Sequence, residues 1–168
     1  IIPRGEIEQL LNYMYSCKNT GDKSWLRDIA VVEVFFATGA RVYEISNLND
    51  DSINLDTGLI RFMGKGGKER CVQIGEPGII DLLKRYYKVN QEVIKGCGAF
   101  FVNQRGERFT EQSIRLMLKK YTNLAGITRN ITPHMFRHSF ATYLIEEGVD
   151  VSCVQQILGH SSINTTQI

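Results

Sequence analysis

Thr132-Pro133-His134-Met135-Phe136-Arg137-His138 opens an apolar run that ends at Leu158-Gly159-His160, and every histidine of the chain lies inside it. Thr132 is a residue type suited to a helix N-cap, and Pro133 suits the first helical position. The spacing predicts a helix from Thr132 to Glu147, with Met135, Phe136, Phe140 and Leu144 facing the core. Gly148 ends it, Asp150 can cap a further helix through Leu158, and Gly159 ends that one and presents His160. His134, Arg137 and His138 fall at i, i+3 and i+4, on one face of the first turns. Unpaired backbone N–H groups and the positive end of the helix dipole lie at that same end, which suits an anion, above all a phosphate. The alternative is ordinary capping, pairing and solvation of surface cations. What decides between the two is whether the rest of the chain supplies matching pieces.

Upstream, Ile7, Leu10, Leu11 and Met14 recur at helical spacing between Glu6 and Cys17. Ser24 can cap a second helix through Ala37, apolar on so many sides that it reads as buried, and Thr38-Gly39 should stop it. Arg41 follows at once, with Glu44 three residues on. These form either a surface pair of small worth or an arginine fixed at the edge of the core with Glu44 orienting it or a neighbour.

Residues 52 to 74 switch to alternation with period two. Ile53 and Leu55, Ile60 and Phe62, and Val72 and Ile74 mark three short strands. Asp56-Thr57-Gly58 makes the first turn and Gly64-Lys65-Gly66-Gly67-Lys68 the second, so Lys65 belongs to a flexible hairpin tip. Arg61, Lys65, Lys68 and Arg70 make this hairpin basic. It is either a solvated turn or the carrier of a mobile lysine deliverable to a bound phosphate. A phosphate-binding P-loop does not fit, because Lys65 is followed by glycine where Ser or Thr is required.

Pro77 to about Ile94 reads as an amphipathic helix, broken by Gly96 to Gly98. Phe100-Phe101-Val102 forms a short buried segment, and Thr110 opens a helix to about Leu124. On that helix Arg115, Lys119 and Lys120 share much of the outer side, with Arg105, Arg108 and Arg129 nearby. This is either a solvated face or a surface for a nucleic-acid backbone. The expected architecture is mainly α with a small three-stranded antiparallel β-sheet.

At 168 residues the chain fits one domain with a real core. No apolar run is long enough to span a membrane, and no signal-peptide layout is present. The net charge of +2 proves no nucleic-acid partner by itself, so its distribution matters more than its sum. Cys17, Cys71, Cys97 and Cys153 are scattered without a Cys-x-x-Cys pair, as expected of free thiols in a reducing cytoplasm.

Four segments occur in a telling order: residues 38–45 (Thr-Gly-Ala-Arg-Val-Tyr-Glu-Ile), 64–70 (Gly-Lys-Gly-Gly-Lys-Glu-Arg), 134–142 (His-Met-Phe-Arg-His-Ser-Phe-Ala-Thr) and 158–168 (Leu-Gly-His-Ser-Ser-Ile-Asn-Thr-Thr-Gln-Ile). Together they resemble the catalytic domain of tyrosine recombinases, the phage integrase family that includes Xer recombinases and integrases of conjugative transposons. The resemblance covers nearly the whole chain. It implies the tyrosine recombinase catalytic-domain fold and metal-independent cleavage and rejoining of double-stranded DNA through a 3′-phosphotyrosine intermediate. It further implies a homo-oligomer, a tetramer, on the DNA; the cytoplasm and the lack of a membrane partner are expected from the cysteines and the apolar runs instead.

By the same resemblance, Arg41 and Arg137 clamp the scissile phosphate. His134 handles a proton and contacts the phosphate, and His160 donates to a non-bridging oxygen. Lys65 is the general acid toward the leaving 5′-hydroxyl, with Glu44 and His138 in support. Lys68, Arg70, Arg115, Lys119 and Lys120 are the DNA-binding candidates. In the family's motif the nucleophilic tyrosine directly follows Thr-Thr-Gln-Ile, so residues 1–168 are expected to be a catalytic domain cut just before its nucleophile, without the family's N-terminal DNA-clamping domain. None of the seven tyrosines present takes that place. No cofactor is expected, and no metal: Arg137 beside the His134/His138 pair repels a cation, and no Glu or Cys completes a ligand set. Two other readings remain open at this point, a type IB topoisomerase-like relaxase and a non-catalytic DNA-binding module.

Overall fold

The computed structural model describes residues 1–159; His160 and the short helix expected from Ser162 lie outside the described residues. The described part is mainly helical, with one small sheet. Helix α1 (Arg4–Ser16) leads into α2 (Trp25–Thr38), whose Ile29, Val31, Val32, Val34 and Phe35 are fully buried. A helix apolar on most sides must be surrounded, and α2 packs against α1, α4 (Pro77–Cys97) and α6 (Pro133–Glu146). It ends at Gly39, whose φ of 65° is open to glycine at little cost. Glycine is needed there for space as well. A Cβ would lie 2.5 Å from Phe140 Cδ1 and 2.7 Å from Leu158 Cδ2.

The turn after Gly39 becomes the short helix α3 (Val42–Ser46). Three antiparallel strands follow in the order β1 (Ile53–Asn54), β2 (Leu59–Met63) and β3 (Glu69–Gln73). The register sets Ile60 opposite Val72 and Phe62 opposite Arg70, so these four positions share the core-facing side. The Asp56-Thr57-Gly58 turn is closed by Asn54, whose Oδ1 accepts the Asp56 and Thr57 amides at 3.0 and 3.1 Å.

Helix α4 runs past the expected end near Ile94. Gly96 costs a helix only about 1 kcal/mol, and the helix stops where Gly98 takes the left-handed conformation. The Phe100-Phe101-Val102 segment is buried and held by Tyr86, whose hydroxyl donates to Phe100 O at 2.9 Å and accepts from Val102 N at 3.0 Å. Helix α5 (Glu111–Leu124) is capped as expected, Thr110 Oγ1 accepting from Ser113 N at 3.1 Å. Ser24, Thr132 and Asp150 stand at N-cap positions too, but their side chains make no cap bond.

Helix α6 is divided between two apolar clusters. Phe136, fully buried, lies 5.5 Å from the Phe35 ring and 4.6 Å from Phe36, inside the main core. One turn later Ala141 joins Val154 and Leu158 of α7 (Val151–Leu158) in a smaller cluster of their own. Arg137 falls at the seam between them.

Candidate active site

The turn after α2, the tip of the β2–β3 hairpin, the start of α5, the first turns of α6 and the end of α7 surround one cavity of about 640 Å³. Its wall includes Arg41, Glu44, Lys65, His134, Arg137 and His138. Six of the seven residues expected at the catalytic centre therefore meet in one place, although Arg41 and His138 are far apart in sequence. The seventh, His160, lies outside the described residues.

Arg137 is 4% exposed and sits between two helix ends. Its Nη1 donates to Gly39 O at 2.8 Å and its Nη2 to Leu158 O at 2.7 Å. Both acceptors are carbonyls at helix C-termini, where partial negative charge favours a cation. Burial first, then the guanidiniums of Arg41 and Arg70, push its pKa down to about 9 against the pull of Glu44. It remains protonated at neutral pH, with two of its five N–H groups taken by carbonyls.

Glu44 is 2% exposed. Its Oε1 accepts the Arg41 amide at 2.9 Å, closing the first turn of α3, and both its oxygens accept from Arg70, at 2.8 and 2.9 Å. Burial raises its pKa, but the bonds and charge of Arg70, the Arg41 amide and Arg137 more than offset this, so the carboxyl titrates below its ordinary 4.5. A carboxyl with a lowered folded-state pKa contributes stability that is complete above the ordinary value and is lost as pH falls through the lowered one. Glu44→Gln should therefore cost on the order of 3–5 kcal/mol at pH 7, as expected for a buried pair that loses one partner. Urea unfolding at pH 7 and at pH 3 tests it. The gap between variant and wild type should narrow at the lower pH, and an unchanged gap would refute the linkage.

Lys65 is exposed in the hairpin turn, where Gly66 and Gly67 have left-handed backbones. Its Nζ lies 5.4 Å from the centre of the Tyr43 ring, within reach of a cation–π contact. Tyr43 also lines the cavity, a place the sequence reading did not give it. His134 is exposed on the wall, and its ring centre is 5.8 Å from that of His138. Burial lowers the His138 pKa, and the neighbouring charges of the Ile1 amino group and His134 add to the shift. Among the described residues, no group of three or more His, Cys, Asp or Glu is placed to hold a metal, and no helix is long and apolar enough to cross a membrane. All four cysteines are free.

The expected DNA-binding cations divide. Lys68 is exposed at the hairpin. Arg115 lines the cavity, 3.5 Å from Glu111, and with Pro133 it also lines an adjoining groove that holds Lys119 and Arg129. Two expectations need correction. Lys120 points away from this groove toward Asp22, at 3.6 Å, because five residues along a helix turn a side chain well off the Arg115 face. Arg70 does not face outward at all. Its side chain is 9% exposed, stacked 5.1 Å from the Phe62 ring centre and bonded to Glu44 and to Ile157 O at 2.6 Å. Arg108 is likewise occupied, with Ser46 O at 2.9 Å and Asn49 Oδ1 at 2.6 Å.

Comparison with known proteins bears on the family and the fold. A tyrosine recombinase of Agathobacter rectalis is 43% identical over 99% of this chain and 56% of its own length. The crystal structure of XerA recombinase superposes with a TM-score of 0.87 at 32% identity, covering 99% of this chain and 58% of that one. XerH recombinase, solved bound to its difH substrate in a pre-cleavage complex, gives 0.85 at 30% identity, over 98% of this chain and 48% of that one. The chain thus spans about half the length of the relatives it matches. The phage integrase family model matches residues 2–168, and on that match, with the shared fold and the convergence of the motif residues, the chain belongs to the phage integrase family.

Proposed function

We propose that this chain is the strand-cleaving domain of a site-specific DNA recombinase, with double-stranded DNA as its substrate. The observation that carries the reading is the gathering of Arg41, Lys65, His134 and Arg137 around one cavity. Attack by a tyrosine oxygen on a DNA phosphodiester gives a five-coordinate transition state with added charge on its non-bridging oxygens. Guanidinium groups meet two such oxygens at once and stay charged. The departing deoxyribose oxygen leaves poorly unless protonated, and a lysine exposed at a glycine-rich hairpin tip that lines the cavity can supply the proton. The covalent phosphotyrosine retains the bond energy, so rejoining to another strand needs no ATP.

In this reading His160 completes the phosphate contacts and His138 supports His134. The nucleophilic tyrosine follows Ile168, as in the family's motif, and a separate domain clamps the DNA from its other side. The groove that holds Lys119 adjoins the cavity at Arg115 and would take the duplex backbone beside the cleaved phosphate, with Lys68 adding charge at the hairpin. Exchange between two duplexes breaks four strands, which four copies of a chain with one nucleophile each supply; a homotetramer follows from that count. Four free thiols suit the cytoplasm.

The test is covalent capture. A longer protein that carries this chain and the tyrosine is mixed with a nicked suicide duplex, and a 3′-phosphotyrosine adduct is expected on denaturing gels. Adduct formation without exchange between two marked duplexes would identify a relaxase instead. No adduct at all, with DNA bound, would leave a binding module.

A further inference from the structure

Arg70 and Arg137 hold successive carbonyls of the same helix end. Arg70 Nη1 donates to Ile157 O at 2.6 Å, and Arg137 Nη2 donates to Leu158 O at 2.7 Å. On its other side Arg70 grips Glu44 through Nε and Nη2, at 2.8 and 2.9 Å. The charge of Glu44 acts in turn on Arg137. Contact with the end of α7 is close: Gly159 has φ +72°, and a Cβ there would lie 2.9 Å from Arg70 Cδ. Apart from this, α7 packs in the small cluster of Ala141, Val154 and Leu158, separate from the main core.

Arg137 therefore does not set its own orientation. One anchor, Gly39 O, belongs to the central helix, while the other, Leu158 O, is only as fixed as the last turn of α7. We propose that Arg70 is a positioning residue for the phosphate site, holding that turn so that Leu158 O orients the Arg137 guanidinium. The proposal rests on the reading of the cavity as a phosphate site. It explains why the position carries arginine. A guanidinium can engage a carboxylate with two N–H groups and a carbonyl with a third, whereas an ammonium is a point charge without that fork.

Guanidinium NMR of the 168-residue chain, comparing wild type with Arg70→Lys and Arg70→Ala, tests the assignment. In Arg70→Lys, amide protection in α2 should be unchanged, while exchange of the Arg137 Nη hydrogens should rise about tenfold, the scale of one lost hydrogen bond. Affinity for inorganic phosphate, read from the His134 imidazole shift well below the melting temperature, should fall by up to about the same factor. If Arg70 only stabilises the fold, melting temperature drops but Arg137 exchange and phosphate affinity stay as in wild type. If only its charge matters, Arg70→Lys matches wild type and Arg70→Ala does not. Either pattern overturns the proposal, and Arg70→Lys decides alone if Arg70→Ala does not fold. Should the wild-type chain fail to bind phosphate while Arg137 exchange still responds to Arg70→Lys, the phosphate reading falls and the positioning role stands.

Discussion

Arg137→Lys is expected to slow DNA cleavage by about 10²–10³-fold, the usual cost of losing one preorganised donor to a developing oxyanion. The lysine keeps a positive charge but not the plane of donors. In the wild type, two N–H groups are spent on Gly39 O and Leu158 O, and this fixes the guanidinium that lines the cavity. A single ammonium cannot serve both carbonyls and also present a fork to two phosphate oxygens. Lysine is a better probe than alanine here. Alanine would leave two buried carbonyl oxygens without a donor, at about 1–3 kcal/mol each, and would confuse lost folding with lost chemistry. The measurement is single-turnover cleavage of a nicked suicide duplex by the longer, tyrosine-bearing protein, with DNA saturating and the melting temperature recorded alongside. A rate within a few-fold of wild type at equal occupancy would remove Arg137 from the reaction.

Lys65→Ala should leave DNA affinity nearly intact and reduce cleavage by about 10²–10⁴-fold, the range for a positioned general acid. The geometry favours a large effect on chemistry and a small one on binding. Lys65 is exposed at a hairpin tip, and among the described residues the contact found for its Nζ is the Tyr43 ring, 5.4 Å away. Its removal takes away a proton donor and little else. A substrate with a 5′-bridging phosphorothiolate needs no proton on its leaving sulfur, so cleavage of that substrate should recover in the variant. A variant equally slow on both substrates would show that Lys65 does something other than donate a proton.

Much of this was legible in the sequence because periodicity and spacing carry it. The alternation of Ile60, Phe62 and Val72 announces the sheet, and the spacing of His134 and Arg137 puts both on one face of a helix. Arg70 was misread although its signal was present. It stands two residues before Val72 and four before Ile74, on the same side of the strand as both, and that parity points inward. Its basic neighbours Lys65 and Lys68 concealed this. Lys120 was grouped with Arg115 and Lys119 by charge, when five residues of helix should have separated it. What no local pattern could reveal is which backbone carbonyls a buried cation will meet. Gly39 O and Leu158 O are the partners of Arg137 only because two helices end side by side.

The sheet also has an exposed problem to solve. β3 is its outermost strand on one side, and such a strand offers a row of unpaired amides and carbonyls as a template for another chain. Helix α7 lies against it, and a charged side chain anchored inward from near the start of the strand ties the two together. The residue that joins α7 to the hairpin thus links the outer strand of the sheet to the helix end that holds Arg137.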